Sequence, residues 1–326
     1  MIRAGASRQP TREAWSLERL VYERSLALGY AIELSTSSAY NSHLNSYLNF
    51  CRLHERSVDP TADTLSFFVV WLAHHIEPRS IESYLSGIAS RLEPFFPAVR
   101  DARRSLLVSR TLQGCKRRLS KPITRAPALG VSDINRVVAA LVGSRDYDTV
   151  LFLALLVTGF TTLQRLGELV WSDSLRLQSW RKVALRHTVT ISDEGMSYLL
   201  PSPKSDRSGS GSRVLVPASA ILPLDAFPRL RAYLSMRDMS FAHHPALWVT
   251  ANGQVPTRAW FLRRLRQSFH AGISGHSLRA GGATALACAG LAPELIQAAG
   301  RWSSASFERY IRQHPFILHA IIHAQH

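Results

Sequence analysis

Four side chains near the C-terminal end of the sequence are of types that can hold or attack a phosphate group. They are His276, Arg279, Trp302 and Tyr310, within the stretch GHSLRAGGATALACAGLAPELIQAAGRWSSASFERYIRQHP, residues 275–315. A guanidinium and an indole N–H donate hydrogen bonds, an imidazole moves a proton, and a phenol can act as a nucleophile. His276 and Arg279 lie three residues apart at a predicted helix start, on one face, where the helix dipole favours an anion. An ordinary surface helix is the alternative interpretation of this pair.

Helix signals predict that this stretch folds back on itself. Gly290 and Gly300 are typical C-terminal residues of helices, and Pro293 is typical of the first position of the helix between them. Two quick turns would return Trp302 and Tyr310 to the place where the stretch begins. For Tyr310 alone, the alternative is a tyrosine on the core face of an amphipathic helix.

A second pair of charged residues lies upstream, in TGFTTLQRLGELVW at 158–171. Arg165 and Glu168 are three residues apart on a predicted helix, for which Thr161 or Thr162 is the expected N-cap. An intrahelical ion pair without further function is the alternative interpretation.

Lys204 lies in the turn-rich segment SPKSDRSGSGS, between two predicted strands. Lysine supplies only four of the 39 Lys and Arg residues, so the chain strongly prefers arginine. Unlike arginine, lysine can give up its proton, and Lys204 is therefore a candidate general acid. Simple solvation of a loop is the alternative.

The composition indicates a polyanionic partner. The formal net charge is +16 over 326 residues, and residues 100–125 hold nine Lys or Arg against one acidic residue. Nucleic acid is the partner class that such a cluster favours, although a solvated basic surface is the alternative. The candidate DNA-binding residues are Arg103, Arg104, Arg110, Lys116, Arg117, Arg118, Lys121, Arg258, Arg263, Arg264 and Arg266.

Other classes of protein are disfavoured by the sequence. The longest apolar run, LFLALLV at 151–157, is far shorter than the roughly 20 residues that span a bilayer. The first residues lack the apolar segment of a signal peptide. Three cysteines, widely spaced and odd in number, fit neither a disulfide framework nor a zinc motif, and they favour a reducing compartment.

The pattern along the chain predicts two domains. Residues 1–15 are expected to be a flexible N-terminus, 16–118 a helical domain, 119–131 a linker with two prolines and a glycine, and 132–326 a second domain. A helix is predicted at about 147–158, and HTVTIS, GMSYLLPS and SRVLVPAS are predicted strands of a small antiparallel sheet. The predicted fold class is therefore mainly α with a small inserted antiparallel β-sheet.

In order along the chain, these residues resemble the motif of the tyrosine recombinases, the DNA strand-exchange family that includes phage integrases and Cre. The family pattern is an arginine with a nearby acidic residue, a hairpin lysine, an HxxR pair, a His or Trp, and a nucleophilic tyrosine. The matching residues are Arg165 with Glu168, Lys204, His276, Arg279, Trp302 and Tyr310. RLGEL and GRWSSASFERYIR look closest to the branch of eukaryotic mobile elements such as Cryptons. Trp302 and Tyr310 are eight residues apart, where many members have nine.

The resemblance implies a helical core-binding domain, followed by an α+β catalytic domain that breaks and rejoins DNA. Tyr310 would attack the phosphodiester and form a 3′-phosphotyrosine, and Lys204 would protonate the leaving 5′ oxygen. Arg165 and Arg279 would clamp the phosphate. Because the phosphotyrosine conserves the bond energy, no metal and no other cofactor would be required.

The resemblance also assigns supporting roles and partners. Trp302 would donate a hydrogen bond to the phosphate, His276 would assist proton transfer, and Glu168 would orient the clamp. The partner is double-stranded DNA, with a dimer on each site and a tetramer in synapsis. The tail from about 314, including PFILHAIIHA at 315–324, would join the copies or pack on its own domain. The expected location is the nucleus, or the cytoplasm or nucleoid for a bacterial chain.

Three other functions are compatible with parts of the sequence. A type IB topoisomerase-like protein would share the chemistry but relax DNA as a monomer. A DNA-binding protein derived from a transposon would have no activity. A metal enzyme would use His319 and His323, which have the i, i+4 spacing of ligands, but the tail has no carboxylate or cysteine beside them.

Overall fold

The fold is given by a computed structural model, which describes residues 13–123, 127–201, 210–269 and 272–302. The chain divides into two compact units, Met1–Ile123 and Thr124–His326. This boundary lies inside the segment 119–131, where the sequence predicts a linker. Most of the predicted flexible N-terminus, 1–15, lies outside the described residues. Among those residues, no helix combines the length and the apolar character needed to cross a membrane.

The first unit is helical. Its helices are α1 Leu17–Tyr30, α2 Leu34–Leu53, α3 Ala62–Ala73, α4 Ile81–Leu92, α5 Val99–Arg104 and α6 Leu106–Leu119. Helix α4 shows why the segment is helical, because Ile81, Leu85, Ile88 and Leu92 recur at the helical period and are all buried. α4 packs mainly on α2, and α6 packs mainly on α3.

A long apolar helix forms the centre of the second unit. The helices are α7 Val131–Leu141, α8 Tyr147–Thr161, α9 Leu166–Leu169, α10 Phe227–Ser240, α11 Arg258–Ser268, α12 Gly275–Cys288 and α13 Pro293–Gly300. Every residue of α8 from Leu151 to Phe160 is buried, so this helix is covered on all sides. α10 and α12 pack directly against it.

The predicted sheet is present in the second unit. Strands β1 Thr190–Ser192, β2 Gly195–Leu200 and β3 Ser212–Pro217 pair antiparallel in the order β1-β2-β3. Tyr198 pairs with Val214 in register, and both side chains are buried in the main core of the unit. Leu215, the next residue, points to the other face and is 61% exposed. The sheet therefore covers the core with one face only.

Two neighbouring glycines allow α12 to approach other elements closely. A Cβ atom on Gly281 would lie 2.0 Å from the carbonyl oxygen of Leu129, and one on Gly282 would lie 2.1 Å from that of Phe160. Neither distance is possible for a real side chain. Glycine at position 282 therefore lets α12, which carries the HxxR pair, contact α8 backbone to backbone, and glycine at position 281 does the same for the segment before α7.

Candidate active site

Arg165 lies in a tight turn between α8 and α9. Helix α8 ends at Thr161, Leu163 takes a left-handed conformation with φ of 54°, and Arg165 is the N-cap residue of α9. The prediction that Thr161 or Thr162 caps this second helix is wrong. Both residues end the first helix instead, and their hydroxyls donate to carbonyls one turn earlier in α8, at 2.9 and 2.6 Å.

Glu168 joins two arginines. One oxygen, Oε1, accepts from Arg165 Nη1 at 2.9 Å. The other, Oε2, accepts from the backbone N–H of Arg165 at 3.0 Å and from Arg301 Nη2 at 3.0 Å. The Glu168 side chain is 7% exposed, so its negative charge is held among positive groups with little water. The predicted pairing of Arg165 with Glu168 is present, and a second arginine shares the carboxylate.

Arg279 is a buried arginine that spans two turns of the chain. Its Nη1 donates to the carbonyl oxygen of Leu163 at 2.6 Å, and its Nη2 donates to that of Gly300 at 2.5 Å. Its guanidinium carbon lies 4.1 Å from the centre of the Trp302 ring. The side chain therefore connects the turn after α8 with the turn after α13, and Trp302 does return to the start of the HxxR helix.

His276 lies at the second position of α12 and remains exposed to solvent. Ser274 caps this helix, and its Oγ accepts from the backbone N–H of His276 at 3.3 Å. Partial desolvation of the ring, followed by the positive charge of Arg279, lowers the pKa of His276 below the ordinary value. The neutral imidazole is therefore favoured at neutral pH, as a proton acceptor requires.

Arg301 is a site residue that the sequence analysis missed. Gly290 follows α12 with φ of 82°, as a C-terminal glycine is expected to do, but the corresponding left-handed residue after α13 is Arg301 rather than Gly300. The available signal was an arginine directly between Gly300 and Trp302. Because arginine seldom takes positive φ, nothing local indicated that its side chain turns back toward Glu168.

A buried hydrogen bond ties the sheet to the Arg165 turn. Gln164 Nε2 donates to Tyr198 Oη at 2.5 Å and to Thr162 Oγ1 at 2.8 Å. Tyr198 belongs to β2, and Gln164 directly precedes Arg165. This contact was also missed, because residues 34 positions apart give no local signal. It fixes β2 against the turn that carries Arg165.

Two predicted catalytic residues lie outside the described residues. Lys204 falls within 202–209, and Tyr310 falls within 303–326, as do the predicted tail and the pair His319 and His323. The structure therefore brings together four of the predicted side chains, on three segments of the second unit. These are Arg165, Glu168, Arg279 and Trp302, with His276 one helical turn from Arg279.

Most of the basic residues predicted to bind DNA are exposed. In the first unit these are Arg104, Arg110, Arg117, Arg118 and Lys121, and in the second unit they are Arg258, Arg263 and Arg266. The others contact their own unit. Arg103 donates to Ser86 at 2.8 Å, and Lys116 pairs with Glu82 at 3.2 Å. These two are consequently less available to a phosphate.

Arg264 is the third candidate that is engaged within the chain. It pairs with Asp148 at 3.2 Å, and its guanidinium carbon lies 4.8 Å from the centre of the Trp260 ring. Its neighbour Arg263 is exposed on the same helix. The two adjacent arginines of α11 thus have different environments, although the sequence predicts the same role for both.

Several solved structures have a fold similar to that of this chain. One is the Tn1549 transposon integrase in complex with circular intermediate DNA, with a TM-score of 0.58 and 13% identity over 94% of this chain and 99% of that one. The chain has the tyrosine recombinase fold. A second structure is the XerH site-specific recombinase bound to palindromic difH substrate. Its TM-score is 0.57 and its sequence identity is 15%, over 86% of this chain and 78% of that one. No family model and no curated protein sequence matches this chain.

A third tyrosine recombinase structure aligns with this chain over most of the length of both. It is a lambda integrase dimer bound to a COC′ core site, with a TM-score of 0.52 and 14% identity over 90% of this chain and 94% of that one. These similarities confirm the predicted fold class, a mainly helical chain with a small antiparallel sheet. At such identities the likeness concerns the fold, and the chemistry depends on the chain's own residues.

Within this tyrosine recombinase fold, the site concentrates positive charge around the turn between α8 and α9. Arg165, Arg279 and Arg301 are held around one turn of backbone, and Glu168 offsets part of their charge. Guanidinium groups present forked N–H donors that match phosphate oxygens, and they keep their charge at any physiological pH. Such a cluster favours a ligand group that carries negative charge.

Proposed function

We propose that this chain is a site-specific DNA recombinase that cuts and rejoins strands through a tyrosine. The observation that supports this most strongly is the joint anchoring of two clamp arginines. Arg165 follows the Leu163 turn closely and is held by Glu168, while Arg279 donates to Leu163 O from another helix. A structural ion pair would not require a second arginine from α12 at the same turn.

In the proposed reaction, Tyr310 Oη attacks phosphorus and a new Tyr–O–P bond forms. The bond between phosphorus and the 5′ oxygen breaks, and Lys204 transfers a proton to that oxygen, which leaves as a 5′-hydroxyl. Arg165 and Arg279 stabilise the charge on the non-bridging oxygens. His276, whose lowered pKa favours the neutral ring, accepts the proton of the phenol. Rejoining is the same step in reverse, with the 5′-hydroxyl of another strand as nucleophile.

Self-association on DNA forms part of the proposal. An apolar groove of about 420 Å³ lies in the second unit beside Arg301, and its rim includes Leu215 and Ile221, which are 61% and 58% exposed. We propose that the apolar tail segment 315–324 of a neighbouring copy occupies this groove, with two copies on a site and four in synapsis. From the resemblance of RLGEL and GRWSSASFERYIR to Crypton sequences, we also propose that the chain is the recombinase of such a mobile element and acts in the nucleus.

The function is tested by trapping the covalent intermediate. The full chain is incubated in excess EDTA with a library of nicked random-sequence duplexes, and strands that remain attached to protein in SDS are sequenced. We expect enrichment of a defined site, with the attachment on the 3′ side and at Tyr310 by mass spectrometry. Tyr310→Phe should bind the selected duplex normally and form no adduct, because only the attacking oxygen is lost.

The matched control is Tyr22→Phe, which makes the same change at a residue that is 61% exposed on α1. It should form the adduct at the rate of the unchanged chain. A silent DNA-binding protein would give no adduct with any duplex, and a topoisomerase would relax plasmid DNA that lacks the selected site. An adduct that persists in Tyr310→Phe would falsify the assignment of the nucleophile.

A further inference from the structure

Arg301 has an unusual backbone conformation for an arginine. It follows α13 with φ of 55° and ψ of 42°, in the left-handed region where glycine or asparagine is normally found. A side chain with a Cβ atom is disfavoured there. The Arg301 side chain is nonetheless only 11% exposed, so its guanidinium lies inside the protein rather than in solvent.

The contacts of Arg301 explain what the guanidinium does in that place. Its Nη2 donates to Glu168 Oε2 at 3.0 Å and makes a longer contact of 3.5 Å with the carbonyl oxygen of Leu163. Its Nη1 donates to the carbonyl oxygens of Ala299, at 3.2 Å, and of Thr162, at 3.4 Å. Arg301 thus bridges the end of α13 and the turn between α8 and α9.

Two of the four acceptors of Arg301, Glu168 and the more distant carbonyl of Leu163, also hold a clamp arginine. Glu168 accepts from Arg165 with both of its oxygens, and the carbonyl of Leu163 accepts from Arg279 at 2.6 Å. Leu163 is itself fully buried and left-handed, and its carbonyl oxygen accepts from Arg279 and lies 3.5 Å from Arg301 Nη2. The Arg301 guanidinium therefore contacts Glu168, which holds Arg165, and the carbonyl of Leu163, which holds Arg279.

We propose that Arg301 is a positioning residue that fixes Arg165 through Glu168 and Arg279 through Leu163. The inference rests on the proposed function, since it concerns the geometry of the phosphate clamp. Both Nη atoms of Arg301 contact protein oxygens, and one of these oxygens belongs to the carboxylate that holds Arg165. The pair with Glu168 also stabilises a carboxylate that would otherwise be buried with fewer partners.

The test measures adduct formation in a single turnover, with the selected nicked duplex saturated by the full chain. Saturation separates the rate in the bound complex from DNA affinity. Arg301→Met should slow adduct formation by about tenfold or more, as expected for residues coupled in one ion-pair network, and leave the dissociation constant for DNA unchanged. Arg301→Lys should restore part of the rate, because it keeps the charge but not the forked contacts.

Glu168→Gln provides the decisive background. Because Arg301 acts in part through Glu168, the double variant with Arg301→Met should lose clearly less than the product of the two single losses, and any further loss beyond Glu168→Gln reflects the contact with Leu163. Losses that multiply in full would mean that Arg301 acts independently of Glu168, and would overturn the inference. Arg231→Met, at an exposed arginine of α10, is the matched control and should react at the normal rate.

The remaining outcomes separate the two proposals. If the unchanged chain forms the adduct and Arg301→Met forms it equally fast, the positioning role is wrong and the recombinase assignment stands. If the unchanged chain forms no adduct with any duplex, the proposed function fails, and the role of Arg301 falls with it. Thermal unfolding of each variant is followed in parallel, and rates are compared well below the lowest midpoint.

Discussion

The guanidinium carbon of Arg279 lies 4.1 Å from the centre of the Trp302 ring. A cation over an indole face is stabilised by about 0.5–2 kcal/mol, with the larger values at desolvated sites such as this one. Arg279 is 3% exposed, so the ring also keeps water away from its charge. Trp302 therefore supports Arg279 through its face, in addition to the hydrogen bond that its N–H is proposed to give the phosphate.

Substitution at Trp302 can separate these two roles. Trp302→Phe keeps an aromatic face and removes the N–H, whereas Trp302→Ala removes both. We expect the alanine variant to slow adduct formation by about tenfold and the phenylalanine variant by clearly less, because most of the cation–π contact is kept. The measurement is the single-turnover rate on the nicked duplex. Equal losses in the two variants would assign the effect to the N–H instead.

The pH dependence of the reaction should reflect the lowered pKa of His276. Because desolvation and the charge of Arg279 favour the neutral ring, His276 takes up its proton only below the ordinary value of about 6.5. As proton acceptor it should support a constant rate from pH 8 down to about 6.5, with a fall at lower pH. The His276→Gln variant should react slowly, at a rate that does not change with pH across this range. A fall centred above 6.5 would contradict the assignment.

The adjacent arginines of α11 should differ in their contribution to DNA binding. Arg263 is exposed, whereas Arg264 is already paired with Asp148. If Arg263 neutralises one phosphate, Arg263→Gln should reduce the slope of log affinity against log salt by about 0.9. Arg264→Gln is the matched control and should leave the slope nearly unchanged. Binding is measured by fluorescence anisotropy over a series of salt concentrations, and equal slopes for both variants would refute the distinction.

A methyl group at Gly282 should destabilise the second unit. The added Cβ would lie 2.1 Å from Phe160 O, so the backbone of α12 or α8 must move, at a cost of about 1–3 kcal/mol for an overpacked core. Gly167→Ala, where nothing lies within 4 Å of the added atom, is the control. It should be neutral or slightly stabilising. Urea unfolding of the full chain gives the change in the free energy of unfolding for both variants. Equal midpoints would show that α12 can shift to accommodate the added methyl group.

Local signals in the sequence were sufficient for most of the elements. The predicted helix at about 147–158 is α8, Tyr147–Thr161, and Pro293 begins α13 as expected. The three strands lie within the predicted segments and pair antiparallel. These features depend on residues close in sequence, such as a proline at a helix start or alternating apolar residues in a strand. Such signals can be read without knowing the tertiary contacts.

The site itself could be predicted only in part, because its geometry depends on long-range contacts. Thr161 and Thr162 have the residue types of helix N-caps, yet they end α8. The helix ends there because Leu163 takes a positive φ, which a leucine in the sequence does not predict. The pairing of Arg301 with Glu168 joins residues 133 positions apart. The order of residue types indicated the kind of site, and the tertiary fold decided which arginines share the carboxylate.

Helix α12 touches two backbones at successive positions, through Gly281 to Leu129 O and through Gly282 to Phe160 O. Successive residues of a helix point about 100° apart, so the two contacts oppose rotation about the helix axis in both senses. The HxxR helix is therefore held against rotation, and so is the backbone from which His276 and Arg279 project.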